Sequence, residues 1–433
     1  MKSKFYFSTS KLLIISLFLL LPLQACNNQK QVKQEEIKPP QQEPKKPPSV
    51  IPLFVQTQLP KDENYFLDDQ IWSKSGEKGD KDNLLKAIDS SLNYLKTNQA
   101  TVFYSKYIMP EITRERVEKS LVRFRELLLN SKNPKELQQA VNKEFVFYKS
   151  IGSDKKGTVL FTGYYKPIYK ASKTPTAEYR YPIYRLPPDF DKWEKPHPTR
   201  LELEGKDALQ SGKGKLKGLE LFWLPSRMDA YLAQVQGSAV LKFTDGSETT
   251  INYAGNTEHE YISLGKELIK DKKLEKDGIT LQKVIDYFVK NPAEENTYLP
   301  RNPRFIFFKD TKGAPASGSI SEPITQERSI ATDKSLMPPG ALAIIRAPFP
   351  FISKQTQGDK GNKDLKNDKD TKEKLEQVKL EQRLVSRYVL DQDTGGAIKS
   401  PGRVDYYMGV GNEAGDRAGA IVNSGELYYL LLK

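Results

Sequence analysis

The densest group of chemistry-bearing residues lies late in the chain. It runs Asp393-Thr394-Gly395-Gly396-Ala397-Ile398-Lys399, then Gly402-Arg403-Val404-Asp405, then Gly409-Val410-Gly411-Asn412-Glu413-Ala414-Gly415. Glycines at this density mark tight turns and places where backbone comes close to a ligand or another strand. Gly409-Val410-Gly411 is a poor phosphate loop, because it lacks a third glycine at the proper spacing and a surrounding βαβ unit. The two aspartates are better candidates. Asp405 stands in an alternating stretch beside Tyr406 and Tyr407, where partial desolvation would raise the pKa of its carboxyl and suit it to general-acid work. Asp393, ahead of Thr-Gly-Gly, fits an Asx-turn as well as a site. From residue types alone, two structural turn acids stay open beside a catalytic pair.

What the chain lacks narrows the chemistry further. It has two histidines, His197 and His259, far apart in sequence, and one cysteine, Cys26. Serine–histidine or cysteine–histidine catalysis needs a positioned imidazole, and most zinc sites need several His or Cys ligands. Carboxylate chemistry is therefore favoured, with no metal and no cofactor. The 68 Lys and Arg exceed the 55 Asp and Glu by a formal charge of +13. Such an excess suits a polyanion: nucleic acid, anionic lipid, or cell-wall polymer with free peptide carboxylates. The basic residues are interspersed with acids and no nucleic-acid motif accompanies them, so nucleic acid is not the expected partner.

Cys26 is explained by its position. Lys2, Lys4 and Lys11 precede an apolar run over 12–23, followed by Gln24-Ala25-Cys26. That order is a charged n-region, a short apolar h-region and a small residue before a cut site. The run is short of the about 20 apolar residues that cross a bilayer comfortably. Residues 1–25 therefore read as a signal peptide. Leu23-Gln24-Ala25-Cys26 resembles the bacterial lipoprotein box, which implies lipidation of Cys26. Asn27 is not the aspartate that retains enterobacterial lipoproteins at the inner membrane, so the resemblance implies the outer membrane, facing the periplasm. Residues 26–50, rich in Pro, Gln, Glu and Lys, read as a disordered tether.

The elements that must position the aspartates follow from periodicity. Over 82–137 the pattern is helical: Leu84, Leu85, Ile88, Leu92 and Leu95 share one face, and Val117, Leu121, Phe124 and Leu128 share another on a helix opened by Thr113. Short strands are predicted at 158–165, 179–184, 239–243 and 249–253, the last two forming a hairpin around Asp245-Gly246. Further strands are predicted at 341–346, 384–390, 404–408 and 427–432, with helix returning only within 258–289. Many short strands with Gly and Pro turns suggest barrels. The tract 355–376 is crowded with Lys, Asp, Asn and Gly and reads as a solvated, flexible insertion.

The segments ending in Asp393 and Asp405 resemble the C-terminal 3D barrel motif of the membrane-bound lytic transglycosylase A family. Phe161-Thr162-Gly163-Tyr164-Tyr165-Lys166-Pro167, Tyr181-Pro182-Ile183-Tyr184-Arg185, Val235-Gln236-Gly237-Ser238, Tyr253-Ala254-Gly255-Asn256 and Met337-Pro338-Pro339-Gly340 resemble segments of that family in the same order. The likeness covers most of the chain from about residue 150. It implies a mainly β fold with N-terminal helices: a double-psi β-barrel domain and a smaller inserted β-barrel domain, with a groove between them. The expected divisions are 51–167 for the helical region and the first part of the barrel, 168–315 for the insert, and 316–433 for the rest of the barrel, interrupted by 355–376.

The same resemblance implies cleavage of peptidoglycan glycan strands with a 1,6-anhydro end. Asp405 would be the catalytic acid and Asp393 a supporting acid, with Tyr164, Gln236, Gly237 and Ser238 lining the groove. Expected partners are peptidoglycan, the membrane through the lipid anchor, and cell-wall synthesis or hydrolysis complexes. Two departures stand out: the insertion at 355–376, and Lys166, where some relatives carry threonine. A water-using glycosidase and a non-catalytic peptidoglycan-binding lipoprotein are the rival functions.

Overall fold

The computed structural model describes residues 53–58, 60, 62, 64–73, 78–210, 212, 214–353 and 379–433. The signal peptide, Cys26, the tether at 26–50 and the insertion at 355–376 lie outside the described residues.

In chain order, β1 (Phe54–Thr57) precedes four helices, α1 (Lys81–Leu95), α2 (Asn98–Tyr104), α3 (Arg114–Asn130) and α4 (Pro134–Glu144), followed by β2 (Phe145–Ser150) and β3 (Val159–Lys166). Three of these four helices start where a side chain satisfies one of their first free amides. Thr113 accepts from Arg116 N at α3, and Thr97 and Asn133 do the same at α2 and α4, with Pro134 at the first helical position of α4. The apolar stripe of α1 buries Leu84, Ile88 and Leu95, as the spacing predicts.

Next come β4 (Ile168–Ala171), β5 (Tyr181–Tyr184), β6 (Glu220–Leu224), β7 (Ser238–Phe243), β8 (Glu248–Asn256) and β9 (Ile306–Asp310). The last part supplies β10 (Ser329–Ala331), β11 (Leu342–Ile352), β12 (Leu380–Asp393), β13 (Arg403–Val410) and β14 (Val422–Leu432).

Six strands close on themselves. The order β14-β11-β12-β10-β13-β3 returns through a β3–β14 pairing, and β2 and β1 extend the sheet from β14. Closure removes the open edges that a flat sheet would leave. Phe161, Ile330, Ile344, Val389, Val404 and Tyr429 are buried in one core with Leu84, Leu121 and Phe124 of the helices. The Phe124 and Tyr388 rings meet at 4.8 Å across that junction. The fold is thus mainly β, a closed barrel backed by N-terminal helices.

The strands between β3 and β10 form a second body of sheet. Four pair in the order β4-β7-β8-β9, and β5 pairs with β6. Isolated bridges at Ser172–Trp223 and Arg185–Phe308 join the ribbon to both sides of the four-stranded sheet. Its own core holds Ala171, Ile183, Leu241, Ile251 and Phe308. The β7–β8 hairpin turns where predicted, with Gly246 at φ 82°.

Among the described residues, four α-helices correct the expectation that helix returns only within 258–289: the short Arg200–Glu204 and Glu295–Tyr298, and the longer Arg227–Gln236 and Asn412–Gly419. Arg227–Gln236 buries Met228, Ala230, Tyr231, Leu232, Ala233 and Gln234, so no polar face contrasts with an apolar one. Asn412–Gly419 holds two glycines, poor helix formers, inside the segment read as glycine turns. Packing holds it: a Cβ at Gly163 of β3 would lie 2.7 Å from Ala418 Cα, so only glycine lets the helix sit on the strand.

Candidate active site

β10 is three residues long, yet it sets the geometry of the two aspartates. It runs parallel to β12 and antiparallel to β13, and Ala331 is the register partner of both Asp393 and Asp405. With one strand spacing on each side, the two Cα atoms stand roughly 10 Å apart. The β12–β10 ladder is bulged: Ile330 faces Asp391 while Ala331 faces Asp393, leaving Gln392 as the extra residue. A bulge re-aims the side chain that follows it. Gln392 points into the core, donating to Ala87 O at 2.7 Å and Ser91 Oγ at 2.9 Å. Asp391 is buried with Lys334, Thr332 and Tyr429 and is a structural acid.

Asp405 is held from the other side by β3, which runs parallel to β13 and pairs Thr162 with Asp405 and Tyr164 with Tyr407. Thr162 Oγ1 donates to Asp405 Oδ1 at 2.7 Å, and Arg403 Nη2 donates to Thr162 Oγ1 at 3.3 Å. Burial pushes the Asp405 carboxyl up to about 6; the Thr162 hydrogen bond and the Arg403 charge pull it down, and the charge of Asp393 adds to the rise. The residue as a whole is half-buried. A carboxyl in that state can give a proton near neutral pH and take one back.

Asp393 is committed differently. It accepts hydrogen bonds from Tyr164 Oη at 2.9 Å, Ser319 N at 3.0 Å and its neighbour Thr394 N at 2.8 Å. Burial still raises its carboxyl above the usual range against those three donors. The Tyr164 ring packs on Tyr407 with centroids 5.2 Å apart. Asp393, Tyr164 and Tyr407 therefore form one unit beside the Asp405–Thr162–Arg403 unit.

The second sheet body reaches this place through several residues. Gln236, the last residue of its helix, accepts from Tyr165 N at 3.2 Å, which brings it beside Tyr164. Gly237 caps that helix at φ 75°, and a Cβ there would meet nothing within 4 Å, so it faces open space. Ser238 opens β7 opposite Asn252. Among the described residues, Gly237 and Ser238 make no hydrogen bond to either aspartate. Tyr261, beside Tyr231, feels the charge of Asp405, which adds to the rise that burial imposes on its hydroxyl. A Cβ at Gly396 would lie 3.1 Å from Arg304 Nε, so the arginine rests on the loop after Asp393.

Thr162, Arg403, Tyr407, Tyr261 and Arg304 were not singled out from sequence. Thr162 and Tyr407 lay inside segments already recognised, and only strand register reveals what they touch. Among the described residues, no group of three or more His, Cys, Asp and Glu could hold a metal ion, and no helix is long and apolar enough to cross a membrane.

Comparison with known proteins gives a consistent result. Residues 160–309 match the family model described as the MltA specific insert domain, and residues 328–431 match the 3D domain. Membrane-bound lytic murein transglycosylase A of Escherichia coli K12 is 32% identical over 281 residues, 64% of this chain and 67% of that protein. Its Vibrio cholerae counterpart is 32% identical over 286 residues, 65% and 68% of the two chains. The crystal structure of a membrane-bound lytic murein transglycosylase from Agrobacterium tumefaciens superposes with a TM-score of 0.61 at 25% identity, covering 81% of this chain and 94% of that one. E. coli MltA with bound chitohexaose gives 0.58 at 27% identity, covering 80% and 89%.

Proposed function

We propose a function from one premise: the chain belongs to the membrane-bound lytic murein transglycosylase A family. It is a peptidoglycan lytic transglycosylase. It cleaves the β-1,4 bond between N-acetylmuramic acid and N-acetylglucosamine and leaves a 1,6-anhydro-N-acetylmuramic acid end. The observation that carries this reading is the placement of Asp405 across Ala331 from Asp393, its carboxyl hydrogen-bonded by Thr162 beside Arg403 and pushed up to about 6 by burial.

A glycosidase that uses water usually needs a second carboxylate to activate it or to attack carbon. In the reaction proposed here the C6 hydroxyl of the sugar is the nucleophile. It is tethered to the carbon it attacks, so most of the entropic barrier is already overcome. Asp405 protonates the leaving oxygen, then as carboxylate accepts the C6 hydroxyl proton, and no second acid or base is required. Asp393 supports the site as an acceptor. Its three hydrogen bonds hold Tyr164 and the 394–396 loop, and leave it poorly placed to activate water.

Tyr164, Gln236, Gly237 and Ser238 are assigned to glycan contact, in a groove whose second wall is the segment 168–315. The E. coli relative has been crystallised with chitohexaose bound, which supports a glycan chain as the ligand here. Relatives named membrane-bound support a membrane-associated enzyme. Lipidation of Cys26 would place it at the outer membrane, facing the periplasm.

Digestion of purified peptidoglycan with product masses tests the reading. Ends of 1,6-anhydro-N-acetylmuramic acid, with no water added, are expected. Free reducing ends one water heavier would make the protein a hydrolase, and absence of turnover would make it a binding lipoprotein.

A further inference from the structure

Lys166 ends β3 and is 2 % exposed, yet it lines a cavity of about 730 Å³ together with Asn93, Thr250, Ala314 and Tyr407. Neither Asp393 nor Asp405 belongs to that lining. The Lys166 ammonium makes one hydrogen bond, to Ala314 O at 3.3 Å, and no ion pair among the described residues. Burial pushes its pKa down to about 8, still above neutral, so the side chain carries its charge. A buried ammonium with no counter-ion is unfavourable in an empty site and becomes favourable when an anion fills it.

The cavity is continuous with the elements of the candidate active site. On β3, Thr162, Tyr164 and Lys166 alternate to one face, and on β13 their register partners are Asp405, Tyr407 and Val410. The strand pair therefore leads from the Asp405–Thr162 hydrogen bond to Lys166 over four residues, roughly 13 Å. Tyr407 stands on both sides of the boundary, packing on Tyr164 and lining the cavity. The volume falls within the range of pockets that enclose a small ligand.

We propose that Lys166 anchors a carboxylate-binding pocket, and that the carboxylate is carried by a short peptide branching from the glycan bound at Asp405. The second half of this statement rests on the transglycosylase reading; the pocket itself does not. Lys86 lines the same cavity, as do Asp89 (paired with Arg125), Glu248 and Glu322, and this mixed lining suits a peptide bearing an amine as well as a carboxylate better than a simple acid.

Two measurements on the full chain test the proposal. The first is calorimetric titration with an alanyl-glutamyl dipeptide and with its fully amidated form. Binding of the acid, loss of binding for the amide, and weakening by about tenfold or more in Lys166→Met support the pocket. Equal binding of acid and amide, or no binding of either, overturns it whatever the enzyme does. The second compares kcat/KM on peptide-bearing strands and on strands stripped of peptide by an amidase. The ratio should fall about tenfold in Lys166→Met and recover in part in Lys166→Arg. An unchanged ratio overturns the peptide assignment and assigns the lysine to pinning Ala314, with thermal unfolding confirming that the variant is folded. A wild type that cleaves neither strand would sink the transglycosylase reading and leave the calorimetric result standing.

Discussion

At the residue scale, the proposed chemistry asks Asp405 to be neutral when it gives its proton and charged when it takes one back. Asp405→Asn keeps the shape and the acceptor for Thr162 but ends proton exchange, so turnover on purified peptidoglycan should fall about 10²-fold or more. The same variant should be the more stable protein at neutral pH. The folded-state pKa of about 6 lies above the ordinary aspartate value of 3.8, so ionised Asp405 is a full burden on the folded state above about pH 6 and none below 3.8. Denaturation at pH 8 should show a gain on the order of 3 kcal/mol that vanishes at pH 3.5. An inactive Asp405→Asn with unchanged stability would place the carboxyl in a more watery setting. Thr162→Val removes the hydrogen bond that lowers the Asp405 pKa. The alkaline limb of kcat/KM, where the acid loses its proton, should then move to higher pH by up to about one unit, and Thr162→Ser should restore it. Both aspartates were legible because glycines crowd around them, whereas Thr162 lies 243 residues from Asp405 and nothing local connects the two.

At the element scale, the barrel strands were legible where side chains alternate, as at the start of β3 and of β13, or where they form a continuous apolar run, as in β14. β10 was not, because three residues are too few to display a period. It is nonetheless the strand that sets Asp393 and Asp405 on either side of Ala331, and the bulge at Gln392 that aims Asp393 has no sequence mark either. What holds β10 in place is an ion-pair chain at its entry. Arg328, fully buried, reaches Asp68 and Asp80 at 2.5 Å each, and Arg387 reaches Asp80 at 2.6 Å. Burial alone would raise the Asp80 carboxyl, but the two arginine charges win and hold it below its usual value. Arg328→Met should therefore leave Asp68 buried without its cation, Asp80 keeping Arg387, and cost about 3–5 kcal/mol in urea unfolding at pH 7. Asp80 contributes stability above its ordinary value that is lost as pH falls through its lowered one, so the gap between wild type and variant should narrow in acid. A gap that stays constant to pH 3 would assign the loss to packing instead.

At the scale of the whole molecule, two predictions concern segments that leave the barrel. The residues flanking the insertion are already joined: β11 and β12 pair as far as Ile352 and Leu380, and Ser353 N donates to Lys379 O at 2.9 Å. Replacing 355–376 with a short Gly/Ser link should leave the unfolding midpoint nearly unchanged, since loop closure alters stability by only about 0.6 kcal/mol per doubling of length. Cooperative loss of folding on that deletion would show the tract to be structural. Cys26→Ser should move the protein from the membrane fraction to the soluble one without changing its products; retention in membranes would point to another anchor. The closure of β3 against β14 carries a further consequence, for synthesis. Some 250 residues separate the two strands, and at bacterial translation speeds β3 waits roughly 10–50 s for its partner. A nascent chain that stops at Ile421 has five of the six barrel strands and an open seam. No closed barrel is available along the way, so its strands must stay unpaired, or shielded by a chaperone, until nearly all of the chain has left the ribosome, although the second sheet body, with its own core, is complete earlier. For a chain that its first 25 residues would send for export, that delay would be an asset, because a barrel that cannot close early can still be threaded through a membrane pore.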